Sequence, residues 1–328
     1  MRIGRNALLR GGLGIAISVF ALWILVGSVD IDAALGVLRT ASPAWIAVML
    51  VTATIDVGAR GARWRALLAP IARLPYRRVL GYTYIGYLAN NVLPARLGEL
   101  YRSHALGDRE GISRTTVLGT VVVERVVDTI MVVAIAAAAV LILSIRGVMT
   151  SAVLLGLAFV TLLMIALGLG IAAHRLPGAD RVAQIIARRP RLLELGRRLR
   201  EGLAVAGRPG TVAVALVFSA VAWTASTMTF LIGGQAVGVE LTVAQAALLT
   251  SGVALVTIVP SGPGYVGTFE LTVVSIAAGF GIPRDAAFAM GLLVHLVILV
   301  TTSIGGAVAL VAVRRRRPVP AVPPVAIG

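Results

Sequence analysis

The sequence predicts an all-α, polytopic integral membrane protein. Of its 328 residues, 58% are hydrophobic and only 13% are charged, whereas about 25% are charged in an ordinary soluble domain. Several apolar runs reach the roughly 20 residues that a membrane-spanning helix needs, and the short alternating segments typical of β-barrel strands do not occur. The chain contains no cysteine, which excludes disulfides and thiolate metal sites.

Six apolar runs are predicted to be spanning helices. They cover residues 8–27, 43–65, 115–144, 148–173, 211–237 and 286–313. The first run follows a basic start, and we expect a retained helix and not a cleaved signal peptide, because no small-residue cleavage site follows it. A short loop containing Asp30, Asp32 and Arg39 is expected between the first two helices.

Two further apolar stretches are interrupted by proline and glycine. Residues 79–93 form a run that ends in a break at 90–99, and a second break at 259–270 separates the runs 243–259 and 266–280. The first run is short for a span and fits a re-entrant segment. Paired, broken hydrophobic segments in the two halves of a membrane protein indicate a substrate site. We therefore predict two re-entrant, broken-helix hairpins.

The arginines lie mostly between the apolar runs, as the positive-inside rule describes for cytoplasmic loops. All 30 basic residues are arginine, and we attribute the formal charge of +16 to this rule and not to nucleic-acid binding. With six spanning helices, 26 arginines fall on one side and only Arg39, Arg146 and Arg284 on the other. This predicts a plasma (inner) membrane protein with both termini cytoplasmic. The hairpins would then enter from opposite faces, as an inverted repeat would produce.

A single transmembrane domain is expected over residues 1–317. Within it, residues 174–208 mix arginine with leucine, valine and isoleucine at helical spacing, which predicts a basic amphipathic segment on the cytoplasmic membrane surface. The proline-rich residues 318–328 are expected to be a disordered tail.

Charged side chains inside the apolar runs are the first candidates for function, because each costs about 2.5–3.5 kcal/mol at bilayer depth. Glu124 and Asp128 are four residues apart and share one helix face, while Arg125 projects about 100° away. This face either meets a lipid headgroup, with Arg125 on the phosphate, or holds helices together in an ion-pair network with Arg96 or Arg102. The two interpretations are compatible. Asp56 and Arg60 are expected to form a local ion pair near the cytoplasmic surface.

The two breaks supply further candidates. In the first, Asn90 and Asn91 are expected to satisfy backbone groups freed by Pro94, and Arg96 and Glu99 follow it. A guanidinium such as that of Arg96 presents a planar fork to phosphate or carboxylate.

In the second break, backbone amides and the start of the following half-helix favour an anion, although a plain kink is the simpler interpretation. Glu270 is expected to pair with an arginine, bind a cationic headgroup or carry a proton. His295 is expected to be a packing residue more readily than a proton relay. The predicted substrate-binding residues are Asn90, Asn91, Arg96, Glu99, Glu124, Arg125, Asp128, Ser261, Gly264, Gly267 and Glu270.

Motifs of hydrolases, zinc proteases and nucleotide-binding loops do not occur, and no metal-ligand cluster is apparent. We therefore expect no enzyme activity, no catalytic or metal-binding residue and no cofactor.

Three motifs together resemble one known family. They are Asn-x-x-Leu-Pro-x-Arg-x-Gly-Glu (Asn90 to Glu99), Glu-Arg-x-x-Asp (Glu124 to Asp128) and Pro-Ser-x-Pro-Gly-x-x-Gly-x-x-Glu (Pro260 to Glu270). The chain is similar, over about residues 8–315, to the transmembrane region of the lysylphosphatidylglycerol synthase family of flippase-like membrane proteins. The family includes the flippase part of aminoacyl-phosphatidylglycerol synthases, proteins linked to polyprenyl-phosphate sugars, and hopanoid-associated proteins. A separate soluble domain performs aminoacyl transfer in the synthases, and we do not expect that activity here.

The resemblance implies a flippase for an anionic or zwitterionic lipid, such as a polyprenyl-phosphate sugar, a modified phospholipid or a hopanoid-type lipid. Its partner is expected to be a membrane lipid with a phosphate-bearing headgroup. One alternative is a secondary transporter of a small solute or ion that uses the same broken helices. Another is a scaffold for a glycosyltransferase or lipid-modifying enzyme, docked through residues 174–208. A lipid-modifying enzyme is a further alternative.

Overall fold

The computed structural model describes residues 5–93, 97–145, 155–156, 158, 162, 165, 190–257 and 261–315. All regular structure in these ranges is helical, which confirms the all-α prediction. The α-helices have the bounds α1 Arg5–Val26, α2 Ile31–Arg39, α3 Pro43–Leu68, α4 Tyr76–Val92, α5 Gly98–Glu110, α6 Arg114–Ile142, α7 Pro190–Leu203, α8 Pro209–Ala236, α9 Val243–Val256, α10 Thr268–Ala278 and α11 Arg284–Arg314. Two single 3-10 turns cover Ala204–Gly207 and Pro263–Tyr265.

Four helices, α3, α6, α8 and α11, are each long and apolar enough to cross a membrane. The bent pair α1–α2, whose helices meet at 88°, provides a fifth candidate span. The loop expected around Asp32 is therefore the helix α2, which begins because the Asp30 carboxylate accepts a hydrogen bond from Ala33 N–H at 3.0 Å. The predicted helix 148–173, apart from isolated positions, and the tail 318–328 lie outside the described residues.

The long helices α3 and α8 pack antiparallel against each other. Ser42 N–H donates to the Ala236 carbonyl at 2.9 Å at one end, and Arg63 Nη1 donates to Ser219 Oγ at 3.0 Å near the other. The start of α3 therefore lies at the same membrane face as the end of α8. From this arrangement and the order of the chain, the faces at which the other helices begin and end follow.

The two hairpins enter from opposite faces, as predicted. Helices α4 and α5 follow the end of α3, whereas α9 and α10 follow the end of α8, and these two ends lie at opposite faces. We call the face at the end of α3 the arginine-rich face. It carries the arginines Arg65, Arg73, Arg77, Arg78, Arg109, Arg114, Arg197, Arg198, Arg200, Arg208 and Arg314.

The first hairpin is held by a close approach of α4 and α5. A Cβ atom on Gly98 would lie 2.0 Å from the Gly86 carbonyl oxygen, so only glycine fits there. Gly98 N–H donates to Asn90 Oδ1 at 2.7 Å, and this satisfies an amide at the start of α5. At the base, Glu110 accepts hydrogen bonds from Arg78 at 2.9 Å and Tyr82 at 3.1 Å.

The second hairpin is held against α1. Gly262 N–H donates to Ser18 Oγ at 2.9 Å, and a Cβ on Gly267 would lie 2.8 Å from the Ser18 carbonyl oxygen. Gly264 and Gly267 have φ angles of 64° and 86°, a region that glycine enters without steric cost. The turn therefore depends on glycine for both its conformation and its contact with α1.

The fold repeats in inverted orientation. Helices α3–α6 and α8–α11 each consist of a long helix, a two-helix hairpin and a second long helix, and the two units run in opposite directions. The contacts correspond as well: α4 packs on α11 where α9 packs on α6, and the short helix α2 packs on α11 where α7 packs on α6. Each unit thus completes the other, as in transporters built from inverted repeats.

The tips of the two hairpins meet. The turn Pro263–Tyr265 packs against α4, and the position of a Cβ on Gly264 is 3.6 Å from the Asn91 carbonyl oxygen. The two broken segments, far apart in sequence, therefore form one region.

Candidate functional site

A cavity of about 270 Å³ lies between the long helices and the two hairpin tips. Asp128, on its wall, is the middle residue of α6 and lies about 21 Å from either helix end at 1.5 Å per residue. Asp56 and Trp223 are likewise near the middles of α3 and α8. The cavity therefore lies near the middle of the membrane-spanning bundle, the depth at which transporters of this architecture bind substrate.

A buried ion-pair cluster forms one side of the cavity, and Arg63 is its centre. The Arg63 side chain is 0% exposed and forms a two-pronged pair with Asp128, with Nη2 at 3.0 Å from Oδ2. Its Nη2 also donates to Glu124 Oε1 at 2.9 Å. Such bidentate pairing is characteristic of arginine and carboxylate.

Glu124 is almost completely buried and contacts three arginines. Besides Arg63, Arg102 lies at 2.8 Å and Arg125 at 2.6 Å from its carboxylate oxygens. The expected ion-pair network is present, and Arg102 is one of the two partners that the sequence suggested. The other, Arg96, lies outside the described residues.

The pair of Asp56 and Arg60 forms as predicted, with Arg60 Nε 2.8 Å from Asp56 Oδ1. Its predicted depth is wrong. Arg60 is buried on the cavity wall, its guanidinium lies 4.6 Å from the centre of the Trp223 ring, and its Nη2 reaches Ser226 Oγ at 3.4 Å. Because α3 continues to Leu68, the pair lies well below the end of the helix.

The most accessible cation of the cluster is Arg125. Its side chain is 36% exposed, against 0–9% for Arg60, Arg63 and Arg102. Its Nη2 lies 2.9 Å from Asp128 Oδ2, whereas Nη1 lies 4.0 Å from Glu99 Oε1, beyond hydrogen-bond length. Nη2 of this guanidinium is thus anchored, and Arg125 lines the cavity.

The described part of the cluster is balanced in formal charge. It contains four arginines and four carboxylates, namely Arg60, Arg63, Arg102, Arg125, Asp56, Glu99, Glu124 and Asp128. Balance makes burial tolerable, because an unpaired charge in a low-dielectric interior is costly.

The asparagines of the first tip have two different roles. Asn90 caps α5, as described above, and its Nδ2 lies 3.5 Å from Glu99 Oε2. Asn91 Nδ2 instead donates to the hydroxyls of Thr302 and Ser303 on α11, both at 2.9 Å. Among the described residues, Asn90 therefore satisfies a local backbone group as expected, and Asn91 ties the first tip to the other unit.

Three of the described amides of the second tip are already used within the protein. Gly262 N–H bonds to Ser18, Tyr265 N–H donates to the Gly262 carbonyl at 3.1 Å, and Gly267 N–H donates to Glu270 Oε2 at 2.7 Å. The expectation that amides here face an anion is therefore not met at these three positions. At Gly267 the reason is that Glu270 caps its own helix.

Glu270 forms a buried pair with His295, a partner that the sequence did not indicate. Glu270 Oε1 lies 2.6 Å from His295 Nδ1, and His295 Nε2 lies 2.7 Å from the Gly264 carbonyl oxygen. The imidazole stacks on Phe269 at 4.2 Å. His295 lies on the cavity wall.

The pair of Glu270 and His295 is the counterpart of Glu99 and Arg125. Arg125 is the twelfth residue of α6 and His295 the twelfth residue of α11, and each faces a glutamate from the first turn of the preceding hairpin helix. Position within the repeat is the signal that could have linked Glu270 to His295.

The structure divides ten of the eleven predicted binding residues into two groups, and Arg96 lies outside the described residues. Those on the cavity wall are Asn90, Asn91, Glu99, Arg125 and Asp128. Those that support the wall are Glu124, Ser261, Gly264, Gly267 and Glu270. Among the described residues, no group of histidine and carboxylate side chains could hold a metal ion.

Comparison with known proteins agrees with the motifs. Glycosyltransferase AglD of Haloferax volcanii is 30% identical over 119 residues, which are 35% of this chain and 19% of that protein. The matched part is thus about a fifth of that relative's length. The family described as "Lysylphosphatidylglycerol synthase TM region" matches residues 12–306. Since this match covers most of the chain, the protein belongs to the lysylphosphatidylglycerol synthase TM region family.

Proposed function

We propose that this multi-pass membrane protein is a flippase for an anionic or zwitterionic lipid, and that it binds the phosphate-bearing headgroup in the central cavity. The observation that carries the proposal is the position of Arg125: its side chain is 36% exposed near mid-membrane depth, beside the meeting point of two opposed hairpins. The family and the relative support a role in lipid or glycoconjugate metabolism, so polyprenyl-phosphate sugars are the first lipids to test.

The lining of the cavity suits an amphipathic ligand. One part carries charged and polar groups, including Arg60, Arg125 and Asn90, and another carries apolar side chains, including Phe230 and Leu299. A guanidinium binds phosphate through charge-assisted hydrogen bonds. The apolar part suits the start of a lipid chain, which a small hydrophilic solute does not have.

Lipid access is supported at the first tip. The apolar residues Val92, Leu93, Leu97 and Leu100 are 37–63% exposed, and they are close in sequence to the cavity-lining residues Asn91 and Glu99. In a bilayer, exposed apolar side chains contact lipid at no cost. The lipid headgroup would pass between the hairpin tips while the hydrocarbon chains of the lipid stay beside these apolar side chains.

The proposed orientation follows the arginines. The described arginines concentrate at the arginine-rich face, whereas Arg39 and Arg284 lie at the other. By the positive-inside rule the arginine-rich face is cytoplasmic, in the inner membrane with both termini on that side. We propose that the chain acts as a transporter without catalysing a reaction of its own. A glycosyltransferase or lipid-modifying enzyme on this face is a proposed partner.

The test is a headgroup-accessibility assay in proteoliposomes with labelled anionic phospholipid and polyprenyl phosphate. Wild-type protein should move lipid several-fold faster than empty vesicles, and Arg125→Met should return the rate to the empty-vesicle value because the phosphate loses its cation. Arg197→Met is the matched control, since that side chain is 64% exposed and pairs only with Glu194 among its salt bridges to described residues. It should retain the wild-type rate.

Wild-type rates equal to empty vesicles for all lipids would contradict the proposal. Uptake of a water-soluble phosphate without lipid movement would instead indicate a small-solute transporter. Loss of a co-purifying enzyme on Arg197→Glu, with wild-type lipid movement, would support the docking of that enzyme.

A further inference from the structure

The Glu270–His295 contact contains one proton, and geometry alone requires it. The Gly264 carbonyl can only accept a hydrogen bond, so His295 Nε2 must carry a proton to bond it at 2.7 Å. The contact between Nδ1 and Glu270 Oε1 at 2.6 Å then needs one more proton, on either atom. Without it, two lone pairs would face each other at hydrogen-bond distance. The pair is therefore neutral overall while the contact exists, as imidazolium with carboxylate or as imidazole with carboxylic acid.

Loss of that proton would release the second hairpin tip. A carboxylate facing an unprotonated nitrogen is repelled from it, and both residues are almost fully buried, at 3% exposure each. His295 holds the Gly264 carbonyl, and Glu270 holds Gly267 N–H. The same two side chains therefore bind the proton and fix the turn that meets the first tip.

Among the described residues, the other charged side chains that line the cavity with His295 lie on α3, α5 and α6. Among the described residues, α8 and α9 contain no charged side chain, α10 contains only Glu270, and α1 has none after Arg10. The titratable and charged side chains that share the cavity with His295 are Asp56, Arg60, Tyr87, Glu99, Arg102, Arg125, Asp128 and Tyr265. The proton is thus the one small charge that can be exchanged at this tip without breaking another ion pair.

The two units of the repeat differ in the residue that faces the hairpin glutamate. In the first unit, Glu99 faces Arg125, which stays charged under all physiological conditions. In the second unit, Glu270 faces His295, and a histidine ring, unlike a guanidinium, exists both with and without its second proton. One counterpart position therefore has a fixed charge and the other an exchangeable one.

We propose that the Glu270–His295 pair is a proton-binding site that couples release of one proton to movement of the second hairpin tip, so that lipid transport is proton-coupled. This proposal rests on the proposed lipid transport for its coupling, although the proton site itself can be tested without it. The proton would leave to the water on whichever side the cavity opens, and a proton from the other side would restore the contact.

The proton site is tested by nitrogen NMR of protein labelled at histidine. The chain has three histidines, and His295→Gln identifies the signal of interest. We expect the His295 ring signal to change with pH within the range in which the protein stays folded. Glu270→Gln should abolish the change, because the amide donates permanently to Nδ1. A His295 signal that keeps one state at all these pH values would overturn the proposal.

Coupling is tested with a pH difference across the vesicle membrane and the membrane potential held at zero. One proton per lipid should give about a tenfold lipid asymmetry per pH unit, since one pH unit is one factor of ten in equilibrium. Glu270→Gln should give none. Ser18→Ala is the control for a loosened tip: it removes the Gly262 contact without a titratable group, so it should lower the rate and keep the asymmetry.

The outcomes separate the two proposals. Lipid movement that does not depend on the pH difference, together with an unchanging His295 signal, would refute proton coupling but not the flippase proposal. No movement of any lipid, together with a titrating His295, would refute the flippase and leave the proton site. Equal loss of asymmetry in Ser18→Ala and Glu270→Gln would show that the pair only holds the tip in place.

Discussion

Replacing Arg63 by methionine tests whether the cluster is a stabilising network. The change keeps an unbranched apolar stem and removes a cation that is 0% exposed. Breaking a buried ion pair by removing one partner costs about 3–5 kcal/mol, because the other charge stays buried. Glu124 and Asp128 keep contacts with Arg125 at 2.6 and 2.9 Å. We therefore expect the lower end, about 3 kcal/mol in the free energy of unfolding.

A double mutant separates charge from packing. With Arg63→Met and Asp128→Asn together the cluster is neutral again, and each remaining arginine keeps a carboxylate: Arg60 has Asp56, and Arg102 and Arg125 have Glu124. The double mutant should therefore lose less stability than the sum of the single mutants, by about 1–3 kcal/mol.

The assay is reversible unfolding in mixed detergent micelles, followed by tryptophan fluorescence. Trp64 and Trp223 are suitable reporters because the guanidinium groups of Arg102 and Arg60 lie 4.3 and 4.6 Å from their ring centres. Arg114→Met is the control, since Arg114 and its partner Asp108 are both about half exposed and such pairs contribute at most about 1 kcal/mol. A loss below about 1 kcal/mol for Arg63→Met, or strict additivity in the double mutant, would refute the reasoning.

Three further substitutions can be measured in the same unfolding assay. Gly98→Ala should lower the free energy of unfolding by about 1–3 kcal/mol, because its Cβ would lie 2.0 Å from the Gly86 carbonyl oxygen. The control Gly36→Ala has no neighbour within 4 Å and should gain up to about 1 kcal/mol of helix propensity. Equal effects of the two changes would refute the close approach of α4 and α5. Gly267→Ala should cost at least about 1–2 kcal/mol, because its φ of 86° strains any other residue, and a neutral result would mean that the turn has another conformation. Trp223→Leu should cost about 0.5–2 kcal/mol through loss of the contact with Arg60, and a stabilised variant would contradict that contact.

Local chemistry in the sequence was enough to predict the hairpins. Proline together with glycine in a short stretch interrupts a helix, so the breaks near Asn90 and Gly264 are visible without a structure. Counting arginines then predicted entry from opposite faces, because loop charge follows the membrane sides. Helix periodicity likewise placed Glu124 and Asp128 on one face. Each of these inferences needs only neighbours in sequence.

Contacts between distant segments could not be predicted in this way. Arg63 reaches Asp128 across 65 positions, and it comes just before a basic loop, so the sequence analysis only counted it among the 26 arginines of one side. Helix α3 extends to Leu68, and this small difference in the end point places Arg60 and Arg63 inside the bundle. The partner of Glu270 was missed because a glutamate in a first turn does not indicate what faces it from another helix.

The inverted repeat has a consequence for how the second state of this protein can be constructed. In the present state α4 packs on α11 and α9 packs on α6, and the two interfaces are related but consist of different residues. If the α3–α6 unit adopts the backbone geometry of α8–α11, and the reverse, the chain keeps its helices and connections while the cavity turns its opening to the other leaflet. Distances between α4 and α11 and between α9 and α6 should therefore change in opposite senses during one transport cycle, and a pair of spin labels on each interface would record both halves of the exchange.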